Sequence, residues 1–344
     1  MVLQTKITKM LGIQHPIVQG GMHHVGFASL AAAVSNAGGL GTITALTQPT
    51  PEALRNEIRI CKTLTNKPFA VNLTFLPALA PPNYDAFCDV IIEEGIKIVE
   101  TAGRNPGKYI QKFKQAGLIV IHKCVAIKHA KTAERLGADI ISMDGFECAG
   151  HPGEEDVGNF VLLAVASKKL KIPFMASGGV GDGKQLAAAL ALGAEGVNMG
   201  TRFMATQEAP IHPGIKKALV EGDERSTVLV MRSLRNTERV YKNNQALEVL
   251  KIEKENPGSF EAISHLMKGV LYKKSFDGGN PEGSVWSCGV VMGLIDDVPS
   301  CKDLLERMVK EAESIISTRL SSIVVNSVAL GTTFSTFTGG PLPT

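Results

Sequence analysis

Eight short apolar runs alternate with longer amphipathic segments over the first 205 or so residues. They are 15–19, 39–44, 68–74, 96–101, 118–123, 138–144, 173–177 and 196–200. Most are apolar at consecutive positions rather than at every second one. That is the pattern of parallel strands covered on both faces. The intervening segments carry helix signals. Thr50 precedes Pro51 and Glu52, which gives an N-cap, a proline at the first helical position and an acid in the first turn. The Ala-rich segment 27–37 stops at Gly38-Gly39. Further helices are predicted over 84–94, 106–116, 128–136, 159–170 and 182–192. Eight strand–helix units predict an α/β chain closed into a (β/α)8 TIM barrel. A doubly wound sheet is the rival, but no GxGxxG opens the first strand-to-helix turn.

After the eighth run the alternation stops. Residues 206–290 carry Pro210, Pro213, Pro257 and Pro281 and several charged stretches. They predict a smaller, mainly helical subdomain lying over the C-terminal ends of the strands. Residues 1–205 then form the barrel, completed by 291–325 with one closing amphipathic helix over 298–325. Residues 326–344 carry no charge and are expected to be a disordered tail.

Composition removes several classes of function. Apolar residues make up 44% and charged residues 20%, so the chain is not predominantly disordered. A net charge of +3 and 5% aromatics argue against a nucleic-acid-binding surface. Six cysteines without a CxxC pair fit neither a zinc site nor a disulfide scaffold, and point to a reducing compartment. No apolar stretch is long enough for a membrane span and no secretory signal is visible, so the expected location is cytoplasmic. No GxSxG, HExxH, Walker A or EF-hand pattern occurs.

The chemistry should sit at the strand C-termini, where barrels of this kind bind ligands. Gly178-Gly179 follows the seventh run and Gly200-Thr201 the eighth. Glycines there let backbone amides and a helix N-terminus approach a phosphate. Gly21-Met22 after the first run suits a flat ring lying against the backbone, and His23 follows directly. Asn72 and Thr74 end the third run, where a buried Asn needs partners from a ligand or from the protein. Lys123 ends an apolar strand and requires an anionic partner, which the reduced ring of a flavin would supply. Asp144 opens a glycine-rich loop, 145–153, that carries Ala149 and has His151 at its tip; this histidine is a candidate acid or base. A phosphate grip, a buried lysine and no metal cluster suggest that a cofactor carries the reaction.

These blocks resemble the nitronate monooxygenase (2-nitropropane dioxygenase) family of FMN-containing barrels. The resemblance runs to about residue 325, through Gln19-Gly-Gly-Met22, Asn72-Leu-Thr74, Ala176-Ser-Gly-Gly179 and Asn198-Met-Gly-Thr-Arg-Phe203. Further blocks are similar to a branch recognised as NADH:quinone reductases: Leu73–Pro77, Ile121–Cys124, Asp144–Gly153, Met231–Thr237 and Gly293–Asp297. The resemblance implies FMN bound by Gly21, Met22 and His23 near the ring, with Thr74 and Lys123 at its polar edge. Asp144 and Ala149 would border it, and Gly178, Gly179, Gly200 and Thr201 would hold the phosphate. It also implies Leu76-Pro77 as part of a gate over a nicotinamide. His151 and Lys123 become the expected catalytic pair.

The expected function is therefore FMN-dependent NADH:quinone oxidoreduction by two-electron ping-pong transfer, with NADH as co-substrate. The alternative is a nitronate monooxygenase oxidising alkyl nitronates with O2. The loop reads Glu-Cys-Ala-Gly-His-Pro-Gly rather than the monooxygenase-type Glu-Ala-Gly-Gly-His, which departs from that alternative. An enoyl-thioester reductase shares the fold and the phosphate grip. A flavin-free binding protein is the reading from outside enzymology.

Overall fold

In the computed structural model, which describes residues 3–75 and 82–324, eight parallel strands form a ring. They are β1 (Ile17–Gln19), β2 (Gly41–Thr44), β3 (Phe69–Phe75), β4 (Ile98–Gly103), β5 (Ile119–Cys124), β6 (Ile140–Asp144), β7 (Phe174–Ser177) and β8 (Val197–Met199). Each strand pairs with its successor from β2 to β8, and β8 pairs with β1 in the register Ile17 to Val197. The Gln19 amide donates to Leu40 O at 2.9 Å and the Leu40 amide to Ile17 O at 3.0 Å, which closes the ring between β1 and β2. The helices predicted from their caps follow closely. Thr50 caps Pro51–Leu64 by accepting from the Ala53 amide, and Asn83 caps Tyr84–Glu93 in the same way.

The continuous apolar runs have a direct structural cause. One set of strand residues, among them Ile43, Val71, Val99, Val120 and Ile141, packs outward against the helices. The alternate set, Val18, Leu40, Ala70, Ile98, Ile121, Ile140 and Met175, forms an inner layer. Ile7 and Leu11 of the N-terminal helix Lys6–Leu11 join that layer. This short helix was not foreseen; it lies on the barrel's N-terminal side and keeps water from the inner layer.

Two residues further along the strands the interior becomes polar. Asn72, Glu100, Ser142 and Asn198 stand there, all buried. The change of character falls where the barrel floor ends and the functional mouth begins.

Residues 206–290 contain more than helices. An antiparallel hairpin, β9 (Thr227–Val230) and β10 (Glu238–Tyr241), accompanies the helices Pro213–Glu221, Asn244–Glu255 and Gly269–Gly278. Val230, Val240, Ala246, Val249 and Ile263 give this unit its own small core. The hairpin escaped the sequence reading because its strands are only four residues long, Glu238 and Arg239 open the second, and a non-glycine turn joins them. Arg239 of β10 pairs with Gly150 through two backbone bonds, 2.6 and 3.1 Å, so the hairpin is fastened to the loop after β6. The helix Cys301–Ser314 packs against Gly183–Ala191, where Gly183 permits close approach to the Met308 carbonyl. The Leu76-Pro77 segment and the 326–344 tail lie outside the described residues.

Gly41 marks the tightest helix-to-strand contact. A Cβ there would collide with the Ala31 carbonyl. Gly41→Ala should destabilise the protein by about 3 kcal/mol or more, because the clash is with backbone. Gly278, which has open space around it, should tolerate Ala within about 1 kcal/mol. Urea unfolding of both variants checks this; equal midpoints would refute the packing account.

Candidate functional site

The mouth of the barrel is organised by one buried carboxylate. Glu100 of β4 is fully buried, and three N–H groups point at it. The Gly21 amide donates to Oε1 at 3.0 Å, Asn72 Nδ2 to Oε1 at 2.8 Å and Asn198 Nδ2 to Oε2 at 2.8 Å. Asn198 also reaches Ser142 Oγ at 3.1 Å, and Thr74 Oγ1 donates to Asn72 Oδ1 at 3.0 Å. Asn72 therefore braces the barrel through protein groups, and it also lines the cavities above. Gly21 is required here, because a Cβ would run into the Asn72 side chain.

Above this network lies a cavity of about 500 Å³. Its wall includes Asn72 and the residues expected to hold a cofactor or to act: Gly21, Met22, His23, Thr74, Lys123, Asp144, Ala149, His151, Gly178, Gly179, Gly200 and Thr201. A second cavity, of about 870 Å³, adjoins it and shares Gly21, Asn72, Thr74, Lys123, Asp144, Ala149 and His151. The shared wall is thus made of the groups expected to act.

Lys123 and Asp144 face the cavities from neighbouring strands. Burial works against the Lys123 charge, but the carboxylates of Asp144 and Glu100 outweigh it and hold the ammonium above its ordinary range. Burial pushes the Asp144 carboxyl up, against the pull of Lys123 and a hydrogen bond from Ser177. Asp144 Oδ1 is buried and has no partner among the described residues. An unsatisfied buried acceptor is costly unless a bound group donates to it.

The phosphate expectation is modified in one respect. Gly178 and Gly179 adopt φ of +80° and +73°, in the left-handed region that favours glycine. Their amides and those of Val180 and Thr201 meet no acceptor among the described residues. Of the two helices that follow these turns, the one starting at Gly183 has its N-terminus filled, whereas the one starting at Thr201 has no side-chain cap. Asp182 accepts from the Gln185 amide at 3.0 Å, and the Gly183 amide donates to Glu311 at 2.9 Å. A phosphate would rest on loop amides, with Thr201 Oγ1 held close by the Gly289 amide at 3.0 Å.

His151 borders both cavities, with its Nε2 3.3 Å from Asn236 Nδ2 of the insertion. His23 packs against His24 with ring centroids 3.9 Å apart; enclosure and that neighbour lower its pKa. Tyr272 of the insertion completes this wall. The loop carrying His151 is held from behind by Arg239, whose Nη2 donates to Phe146 O at 2.8 Å. Cys124 and Cys148 are buried thiols whose pKa values burial pushes up, as suits inert cysteines.

Sequence reasoning missed Glu100, Asn236, Arg239 and Tyr272. Glu100 had a signal: a carboxylate inside an apolar strand, the same anomaly that singled out Lys123. The other three come from the insertion, where no periodicity fixes position.

A closed barrel with a polar mouth and glycine turns after its last two strands is suited to a phosphate-bearing ligand. The nitronate monooxygenase model matches residues 4–311, and the chain belongs to that family. It is 36% identical to a (3aS,4S,5R,7aS)-5-hydroxy-7a-methyl-1-oxo-octahydro-1H-indene-4-carboxyl-CoA dehydrogenase from Rhodococcus jostii (strain RHA1), over 90% of this chain and 96% of that protein. Among solved structures, FabK from Thermotoga maritima superposes with a TM-score of 0.86 at 36% identity, covering 93% of this chain and 99% of the other. A nitroalkane oxidase from Streptomyces ansochromogenes gives 0.78 at 25% identity, covering 91% and 99%. No helix among the described residues is long and apolar enough to cross a membrane.

Burial pushes His122 down to about 4, although its bond to Thr101 and the Glu100 charge pull the other way. The unfolded chain protonates this histidine near its ordinary 6.5. Folding stability is therefore fully present above pH 6.5 and falls as the pH drops toward 4. From pH 7 to pH 5 the loss from this group should be about 2 kcal/mol, and His122→Gln should remove that part of the pH dependence. Urea unfolding at the two pH values checks it; an unchanged pH dependence in the variant would refute the assignment.

Proposed function

We propose that this chain is an FMN-dependent oxidoreductase that transfers two electrons between a reduced nicotinamide and an acyl-CoA thioester. The carrying observation is the pair of cavities meeting at Lys123, Asp144 and His151. The inner one has the glycine cradle and the unpaired Asp144 oxygen that suit FMN. The outer one is larger, and fits an extended substrate better than a compact quinone or nitronate. The carboxyl-CoA dehydrogenase relative supports a thioester as that substrate.

When bound, FMN supplies a ring that takes an electron pair from one substrate and passes it to the next. The protein does the rest. The Gly178-Gly179 and Gly200-Thr201 turns hold the phosphate. Gly21, Met22 and His23 form the wall for the ring, with Thr74 and Ala149 at its margins, and Asp144 accepts a hydrogen bond from it. Lys123 places a fixed positive charge where negative charge develops. In the reductive direction an α,β-unsaturated thioester gains a hydride at its β-carbon and a proton at its α-carbon. His151, oriented by Asn236, stands to supply that proton.

The NADH:quinone reading is retained as a second one because the Ile121–Cys124 and Asp144–Gly153 blocks favour it. The FMN-loaded protein should lose its yellow colour with NADH under anaerobic conditions. Crotonyl-CoA or cyclohex-1-ene-1-carboxyl-CoA should then restore the colour at least about tenfold faster than a benzoquinone does. Faster recolouring by the quinone would replace the thioester proposal with the quinone one, and no bleaching by NADH would reject both. Lys123→Met should slow bleaching about 10²-fold while FMN stays bound, the usual scale for removing one electrostatic stabiliser.

A further inference from the structure

The outer cavity carries positive charge that neither the fold nor the reaction centre uses. Arg104, after β4, and Arg235, in the insertion, both line it, and neither side chain has a partner among the described residues. His129 lies on the same wall. The carboxylates nearby are already engaged. Glu155 pairs with Lys128 at 2.6 Å, and Glu154 accepts from the Thr237 amide at 2.8 Å and hydroxyl at 2.6 Å. Among the described residues, the two guanidiniums are thus the free charges of this wall.

The backbone gives a second, independent sign. Arg235 has a φ of +52°, and Met231, at the other end of the same turn, +59°. A glycine would adopt that conformation without strain, whereas an arginine held there costs about 1 kcal/mol or more. The turn is fixed by the Arg235 amide donating to Arg232 O at 3.0 Å and by the Glu253 carboxylate, which accepts from the Met231 amide at 2.7 Å. Strain of this kind clusters at ligand-binding positions. It is retained here at a cation overlooking the cavity.

We infer that Arg104 and Arg235 bind the phosphate groups at the nucleotide end of CoA, while the thioester end reaches Lys123 and His151. Guanidiniums suit this task because their paired N–H groups match phosphate oxygens. This inference rests on the thioester reading above. It adds that the enzyme recognises the soluble CoA ester by its nucleotide. NADPH carries similar phosphates, and the test separates the two sources.

The test uses the FMN-loaded protein and its Arg104→Ala, Arg235→Ala and double variants. Titration calorimetry measures CoA, dephospho-CoA, pantetheine and NADPH. CoA should bind more tightly than pantetheine by tenfold or more. Each substitution should weaken CoA about five- to tenfold, and pantetheine less than twofold. Equal affinities for CoA and pantetheine, or CoA binding untouched in the double variant, would overturn the inference. So would weakening of NADPH alone. Both side chains are exposed and unpaired, so thermal unfolding should be unchanged; a lowered midpoint with equal loss of all four ligands would also count against it. Recolouring of the reduced enzyme separates this inference from the functional reading. If crotonyl-CoA and its pantetheine ester serve equally well, the phosphate site falls and the thioester reaction stands. If neither serves while CoA binding still depends on the arginines, the reaction falls and the site stands.

Discussion

A carboxylate inside a barrel is costly to keep, and Glu100 is kept by donors from three different strands or their ends. Its acceptance of the Gly21 amide fixes the turn leaving β1. Its bonds to Asn72 and Asn198 tie β3 to β8 across the interior. The apolar layer below can then remain a conventional packed core, while the layer above carries charge. Lys123 depends on the same group, since Glu100 and Asp144 together sustain its ammonium. Without this carboxylate the cavity would lose both its floor and its electrostatic balance.

The insertion shapes the mouth from the other side. β10 hydrogen-bonds to Gly150, and Arg239 holds the Phe146 carbonyl, so the loop bearing His151 is clamped between barrel and insertion. Asn236 reaches His151 from the same hairpin. The loop at the strand ends and the insertion are thereby mechanically joined. Family members can share a barrel and a cradle and yet differ in substrate through such an insertion, because its turns decide what meets the outer cavity.

The strands and most helices were readable because burial on both faces writes a continuous apolar run, and because caps such as Thr50-Pro51 are local signals. The turn after β7 was readable for a similar reason: only glycine adopts the backbone of Gly178 and Gly179 cheaply. Of the two helix ends beside these turns, Asp182 caps the one starting at Gly183, while the one starting at Thr201 carries no side-chain cap. The β9–β10 hairpin was hidden by the shortness of its strands and by the charges that open β10, so that its pairing depends on tertiary contact rather than on pattern.

By itself the sequence determined the barrel, the order of its strands and the residue types at their C-terminal ends, since periodicity and glycine placement are local properties of the chain. Tertiary structure alone decided that Glu100 would anchor Gly21, Asn72 and Asn198. It also decided that Arg239 would brace the His151 loop, and that Arg104 and Arg235 would overlook one cavity. Those relations join residues up to a hundred or more positions apart. Hydrogen bonds and charge act through distance in space, which a linear chain does not record until it closes.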